Sequence, residues 1–158
     1  MTRLTIAIPN YNGGKNLQRA IESCKKIKIP LEDYEILIAD NCSTDNSIDI
    51  INELNNEFSN LTLIENKENV GRIQNWNICL ENAKGKFLIF LFSNDIINDQ
   101  NNIHEILEIL DKDEKISIGF SSLLKKEIDN SYIKKSFSDK IIECSSRRFA
   151  HGCLNRGL

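Results

Sequence analysis

The sequence predicts an α/β fold in which a mostly parallel sheet carries helices on both faces. Three observations predict it. Short apolar or β-branched runs alternate with segments of helical period through roughly the first two thirds of the chain. Polar turn clusters rich in Asn, Gly, Ser and Asp follow the runs and lead into the helices. One run, Phe87-Leu-Ile-Phe-Leu-Phe92, is apolar throughout, as in a strand covered on both faces. Right-handed crossovers between successive parallel strands follow from that order.

Leu4-Thr-Ile-Ala-Ile8 is the first predicted strand, closed by Pro9. Asn10-Tyr-Asn-Gly-Gly14 is a turn cluster. After it, Leu17, Ala20, Ile21 and Cys24 recur at helical spacing, the mark of an amphipathic helix. Tyr34-Glu-Ile-Leu-Ile-Ala39 is the second strand, ending on Asp40. Ser43 or Thr44 suits the N-cap of the next helix, whose inner face carries Ile48, Ile51, Leu54 and Phe58. Leu61 to Ile64 is the third strand. A polar loop from Glu65 to Gly71 leads to a third helix, with Ile73, Trp76, Leu80 and Ala83 on its predicted inner side and Gly85 ending it. Phe87 to Phe92 is the fourth strand, followed by the turn Ser93-Asn-Asp95 and a helix bearing Ile103, Ile106, Leu107 and Leu110. Ile116, Ile118 and Phe120 alternate as a fifth strand. Beyond them, Tyr132 to Phe137 and Ile141-Ile142 carry weaker strand signals, and Ser145 to Asn155 a helical one.

With 41% apolar and 27% charged residues, the 158-residue chain has globular composition, which argues against intrinsic disorder. A formal charge of −3 gives no basic excess, so a nucleic-acid backbone is not the expected partner. The longest apolar run is too short to span a bilayer, and Met1-Thr-Arg leads straight into a strand without a signal-peptide apolar region. A soluble, cytoplasmic protein is the expectation. Five scattered cysteines without a Cys-x-x-Cys pair rule against a disulfide framework and a cysteine zinc site. Cys24 and Cys79 fall on apolar helix faces and read as core thiols.

In an open parallel sheet, ligands bind beyond the carboxyl ends of the strands, where the strand order switches. That rule selects Pro9 to Asn12, Asp40 to Asp45, Asn69 to Gly71 and Ser93 to Asp95. Gly13-Gly14 stand alone, so the dinucleotide fingerprint fails, and neither Gly14-Lys15 nor Gly85-Lys86 completes a P-loop. There is no nucleophile elbow, and His104 and His151 read as surface residues.

Taken together, four segments resemble family 2 glycosyltransferases, which have a Rossmann-like GT-A fold and use nucleotide-activated sugars. The segments are Thr5-Ile-Ala-Ile-Pro-Asn-Tyr-Asn12, Ile38-Ala-Asp-Asn-Cys-Ser-Thr-Asp-Asn-Ser47, Asn69-Val-Gly-Arg-Ile-Gln-Asn-Trp-Asn77 and Ala83-Lys-Gly-Lys-Phe-Leu-Ile-Phe-Leu-Phe-Ser-Asn-Asp95. They cover roughly residues 3 to 100 in the family's order.

The resemblance implies a nucleotide-binding set of Pro9, Tyr11, Asp40, Gly71, Arg72 and Asn94. Tyr11 would lie against the nucleobase, and Asp40 would accept from a ring N–H. Arg72 would reach the donor phosphates at a helix start, or be a solvated arginine there. Asp45 would serve either the second helix's start or the site. Asp95 matches the last acid of the Asp-x-Asp metal motif and would hold Mg²⁺ or Mn²⁺, which bridges the donor diphosphate. Asn94 stands where an acid commonly precedes it, which weakens the metal site. Trp76 reads as core, and Asn77 as the residue holding a neighbouring polar loop. The implied donor is a uridine-type nucleotide-diphosphate sugar, the acceptor a saccharide or lipid-linked hydroxyl, with peripheral association at a membrane's inner face.

The catalytic base is not assigned. Glu127, Asp129, Asp139 and Glu143 are the available carboxylates after the metal motif, none in a recognisable Glu-Asp pair. The expected organisation is a nucleotide-sugar-binding part over residues 1–120 and an incomplete acceptor-side or C-terminal segment over 121–158. Arg147, Arg148 and Arg156 read as a solvated helix face rather than a lipid-binding patch. Three functions stay open: a metal-assisted, inverting glycosyltransferase; a non-catalytic module that binds the nucleotide-sugar without transferring it; and, more distantly, a generic doubly wound fold that binds a different phosphorylated ligand.

Overall fold

The computed structural model describes residues 2–98, 102–112, 123–126 and 132–135. Residues 1–114 and 115–158 form two compact units. In the first, strands β1 (Leu4–Asn10), β2 (Tyr34–Asp40), β3 (Leu61–Glu65) and β4 (Phe87–Phe90) make one parallel sheet in the order β3-β2-β1-β4. Helices α1 (Gly14–Ser23), α2 (Ser47–Asn55) and α3 (Arg72–Asn82) connect successive strands, and α4 (Asn102–Lys112) follows β4. The second unit contains an antiparallel pair, β5 (Leu123–Lys126) and β6 (Tyr132–Lys135). The strand expected at Ile116 to Phe120, the Ile141-Ile142 strand and the final helix lie outside the described residues.

Successive strand residues point to opposite faces, and the two faces of this sheet differ. On one, Leu4, Ile6 and Ile8 of β1 and Ile36 and Ile38 of β2 meet Leu17, Ala20 and Ile21 of α1, Ile50, Ile51 and Leu54 of α2, and Leu107 of α4. Among the described residues that core has 19 buried side chains, and each large one contributes about 1.5–3 kcal/mol by leaving water, so this face carries most of their hydrophobic stabilisation. On the other face, among the described residues, Ala7, Ala39 and Cys79 form a smaller buried cluster, with Ile78, Leu88 and Phe90 packed against it. Burial pushes the thiol of Cys24 up to about 12 and that of Cys79 up to about 11, so both are inert core groups.

Polar groups help hold the thinner face. Thr5 Oγ1 donates to Glu35 Oε1 at 2.6 Å, the Lys84 N–H donates to the same oxygen at 2.6 Å, and the Gly85 N–H donates to Thr5 Oγ1 at 2.9 Å. Both side chains are buried, and these bonds supply the partners that burial demands. They also seat the turn before β4 against β1.

Three expectations change. The face of α3 expected inside carries Ile73 and Leu80, which are 60% and 53% exposed, while Asn75 and Cys79 are buried. The small side chains of Ala7 and Ala39 let the helix come close, and the Asn75 amide finds the Ala39 carbonyl there. The strand β4 ends at Phe90, and its four residues are half-buried rather than covered, because β4 is last in the strand order among the described residues. The N-cap position of α2 is Asn46, and Asp45 Oδ1 accepts the Ser47 N–H at 3.0 Å. Ser43 and Thr44 bond elsewhere.

Candidate functional site

The strand order runs away from β1 in both directions, toward β2 and β3 on one side and β4 on the other. The carboxyl ends of β1 and β4 therefore flank the switch point. Pairing between them stops at Ala7 and Phe90, with one closing bond from the Leu91 N–H to the Ala7 carbonyl at 2.9 Å. Two residues on, Pro9 has no N–H to extend the ladder. A cleft of about 510 Å³ opens there, lined by Pro9, Asn10, Tyr11, Asn41, Asn69, Arg72, Asn75, Trp76, Phe92, Ser93 and Asn94. Arg72 is the one charged side chain in that lining. Another cavity, of about 450 Å³, lies by Thr2, Tyr34, Glu35 and Lys84 at the amino ends of the strands, the end opposite to that rule.

Hydrogen bonds tie together the loops after β1 and β2. Asn12 sits at φ 53° and accepts at Oδ1 from the N–H groups of Thr44 (2.8 Å) and Asp45 (3.3 Å), while its own N–H donates to Ser43 Oγ at 2.9 Å. Asn tolerates that left-handed conformation better than most residues. A Cβ at Gly13 would stand 2.3 Å from Asn10 Oδ1 and 3.1 Å from Ser93 Cβ, so glycine is needed there for space. Asn10 Oδ1 is itself buried without a partner among the described residues.

One wall is aromatic. The Trp76 ring lies 5.4 Å from Phe92 and 6.1 Å from Phe90, and the Arg72 guanidinium stands 5.5 Å over the Trp76 ring. Tyr11, 51% exposed, presents a third aromatic face to the cleft. Arg72 opens α3, where the helix dipole favours an anion.

Of the residues expected from sequence, Pro9, Tyr11, Arg72 and Asn94 meet in this cleft. Asp40, Gly71 and Asp95 are not in its lining. Asp40 is 1% exposed, and its carboxylate accepts from Asn10 Nδ2 (2.7 Å), Ser43 Oγ (2.6 Å) and the Ser43 N–H (2.8 Å). Those three donors hold it beneath the cleft, and its neighbour Asn41 is in the lining. Gly71 stands at φ 84° as the N-cap of α3 and shapes the loop. Asp95 is exposed beside Asn94, its N–H donating to the Phe92 carbonyl at 2.8 Å. Trp76, expected in the core, is half-buried on the cleft wall, and the loop-holding role expected of exposed Asn77 falls to buried Asn75. No apolar pattern marks Asn41, Asn69 or Asn75; the loops after β2 and β3 point to Asn41 and Asn69, and nothing in the sequence points to Asn75 inside α3. The carboxylates Glu127, Asp129, Asp139 and Glu143 lie outside the described residues.

Among the described residues no group of three or more His, Cys, Asp or Glu side chains could hold a metal. The Asp95 carboxylate and the Asn94 amide are hard oxygen donors of the kind Mg²⁺ or Mn²⁺ takes, and one carboxylate suffices where substrate phosphates complete the shell. That donor set fits such an ion.

Fold and cleft together define an α/β protein with a cleft at the carboxyl edge of a parallel sheet, where such sheets take ligands. The family model for glycosyl transferase family 2 matches residues 5–152, and the chain belongs to that family. Its fold is the Rossmann-like GT-A type. The chain is 33% identical over 99 residues, 62% of its length, to a poly(ribitol-phosphate) beta-glucosyltransferase of Bacillus spizizenii, of which it spans 16%. The crystal structure of Staphylococcus aureus TarS 1–349 in complex with UDP-GlcNAc matches 70% of this chain and 32% of its own, with a TM-score of 0.65 and 27% identity. A mannosyltransferase from Pyrobaculum calidifontis in complex with GDP-Man and Mn²⁺ matches at a TM-score of 0.64 and 20% identity over 68% of this chain and 32% of its own, a likeness of fold. No helix among the described residues is long and apolar enough to cross a membrane.

Proposed function

We propose that the cleft binds the nucleoside diphosphate of an activated sugar, and that the chain is the donor-binding part of a glycosyltransferase. The observation that carries this reading is the meeting of Tyr11, Arg72 and Asn94 at the switch point of a family 2 chain. UDP-GlcNAc in the TarS complex supports a uridine-type donor. The acceptor is a hydroxyl of a saccharide or a lipid-linked saccharide, met in the cytoplasm or at the inner face of a membrane.

Each residue has a role set by its chemistry. The exposed face of Tyr11 stacks on the nucleobase. Pro9 ends the strand pairing and so opens the cleft. Asp40, held in place by Asn10 and Ser43, accepts from the base edge, and Asn41 lines the cleft beside it. Arg72 donates charge-assisted hydrogen bonds to the diphosphate, and Gly71 gives the loop the turn that puts Arg72 there. Asp95, with Asn94, would hold Mg²⁺ or Mn²⁺, whose charge offsets the negative charge of a departing diphosphate. In the transfer, the acceptor oxygen forms the new bond to the anomeric carbon, with inversion, as the bond to the diphosphate breaks. The acceptor proton goes to a base that is not among the cleft-lining residues.

Calorimetric titration of UDP, GDP and dTDP into the chain, with and without Mn²⁺, tests the reading. One nucleotide is expected to bind in a metal-dependent way, and Arg72→Ala is expected to weaken it about 10- to 100-fold. Binding of none of the three would overturn the donor site. Turnover with the matching nucleotide-sugar then separates an enzyme from a module that only binds.

A further inference from the structure

We infer that four asparagine side chains form an amide relay that sets the position of Arg72 and Trp76 on the cleft wall; only the identity of what the wall binds rests on the donor-site reading above. Asn75 Nδ2 donates to the Ala39 carbonyl at 2.9 Å, fastening α3 to β2. Asn66 Nδ2 donates to Asn75 Oδ1 at 2.9 Å and to Asn41 Oδ1 at 3.2 Å. Asn41 Nδ2 donates to Asn69 Oδ1 at 2.8 Å. Two backbone groups of the loop close the set: the Val70 N–H on Asn41 Oδ1 at 2.9 Å and the Gly71 N–H on Asn69 Oδ1 at 3.0 Å.

The direction of the relay is fixed by its chemistry. An amide nitrogen has two hydrogens, and Asn66 uses both within the relay, so it is the relay's donor to two oxygens. Asn41 and Asn69 each receive two donors on one oxygen. No carboxylate takes part, so the relay carries no net charge to compete with an anion in the cleft. Its products are the start and tilt of α3. Gly71 stands at φ 84°, with nothing within 4 Å of where a Cβ would be, so conformation rather than space selects glycine. Its carbonyl accepts the Asn75 N–H at 3.1 Å, joining the loop to the helix that Asn75 anchors. Arg72 comes next, makes no ion pair among the described residues, and touches the Trp76 ring. Its place is therefore set through the backbone, and its charge is left for a ligand. Asn66, outside the cleft lining, acts on the wall only through the others and is a positioning residue.

The test uses the whole chain. Trp76 is its only tryptophan, so fluorescence reports this wall and nothing else. Asn66→Ala and the shape-preserving Asn66→Asp both remove the two donations, and both are expected to increase acrylamide quenching of Trp76 and shift its emission to the red. Asn69→Ala, at an exposed site, is expected to act in the same direction and decides the matter where the Asn66 variants do not fold. In UDP titrations, Asn66→Ala should raise Kd roughly tenfold, and should add under about twofold in an Arg72→Ala background, since the two act in series. Unchanged quenching in the folded variants, a wild-type response from Asn66→Asp, or losses that multiply independently would overturn the relay. Should the unmodified chain bind none of UDP, GDP and dTDP, the donor reading fails, and the Trp76 signal alone decides the relay.

Discussion

Asp40 ends β2 with its carboxylate turned inward, where Asn10 Nδ2, Ser43 Oγ and the Ser43 N–H all donate to it. Replacing Asp40 by Asn keeps the shape but sets an NH₂ group against donors. A buried donor left without an acceptor costs about 1–3 kcal/mol, so Asp40→Asn should lower stability by about 2 kcal/mol in urea unfolding. An unchanged midpoint would remove these three bonds from the stability of the fold. The sequence marks this aspartate as a strand-end acid beside the cleft, which is correct. Its orientation depends on Asn10 and Ser43, which are 30 residues upstream and 3 downstream and meet it only in the folded sheet. Tyr11, Arg72 and Asn94 are legible for the opposite reason: each sits next to a strand end or a helix start, positions that the alternation of elements already fixes.

The elements that were legible are those with a strong period. β1, β2 and α1 have apolar residues in the repeats their structures need, and each appears where the pattern puts it. The face of α3 is not legible, because its inner position is an asparagine whose burial rests on one carbonyl of another strand. An apolar count favours Ile73 and Leu80, which lie outside. The turn between α3 and β4 shows a similar dependence. A Cβ at Gly85 would fall 2.4 Å from the Thr5 nitrogen and 2.6 Å from the Leu4 carbonyl carbon, both backbone atoms that cannot move aside cheaply. Gly85→Ala should therefore cost on the order of 2–3 kcal/mol, read as a fall in the urea midpoint, and should disturb the Thr5–Glu35 bond. A variant as stable as the parent would mean that this turn relaxes freely.

At the scale of the first unit, α4 is fastened to the starts of β1 and β4 by charge. Arg3 bonds to Glu108 at 2.9 Å and to Asp111 at 2.7 Å, and Lys86 reaches Asp111 at 2.7 Å. The Arg3 guanidinium holds Glu108 below the usual carboxylate range, and Lys86 together with Arg3 does the same for Asp111. A carboxylate with a folded pKa below its unfolded value stabilises above the unfolded value, and that contribution is lost as pH falls through the folded one. Thermal unfolding should thus show stability falling as pH drops below about 4, with Arg3→Ala flattening that decline. Because both acids are solvent-exposed, added salt should shrink the difference between the two proteins. An acid limb identical in Arg3→Ala and parent would remove these pairs from the account. None of them is visible in sequence, since the partners are separated by 25, 105 and 108 residues.

The unequal cores of the two sheet faces have a consequence for motion. Among the described residues, 19 buried side chains make the core on the side of α1, α2 and α4 and three make the cluster that includes α3, so local opening should begin on the α3 side, which is also the cleft wall. Amide hydrogens of α3 then exchange with solvent sooner than those of α2, and a ligand against Arg72 and Trp76 slows exchange there first. The binding edge of the sheet is its softer half, and occupancy changes how often that half breathes.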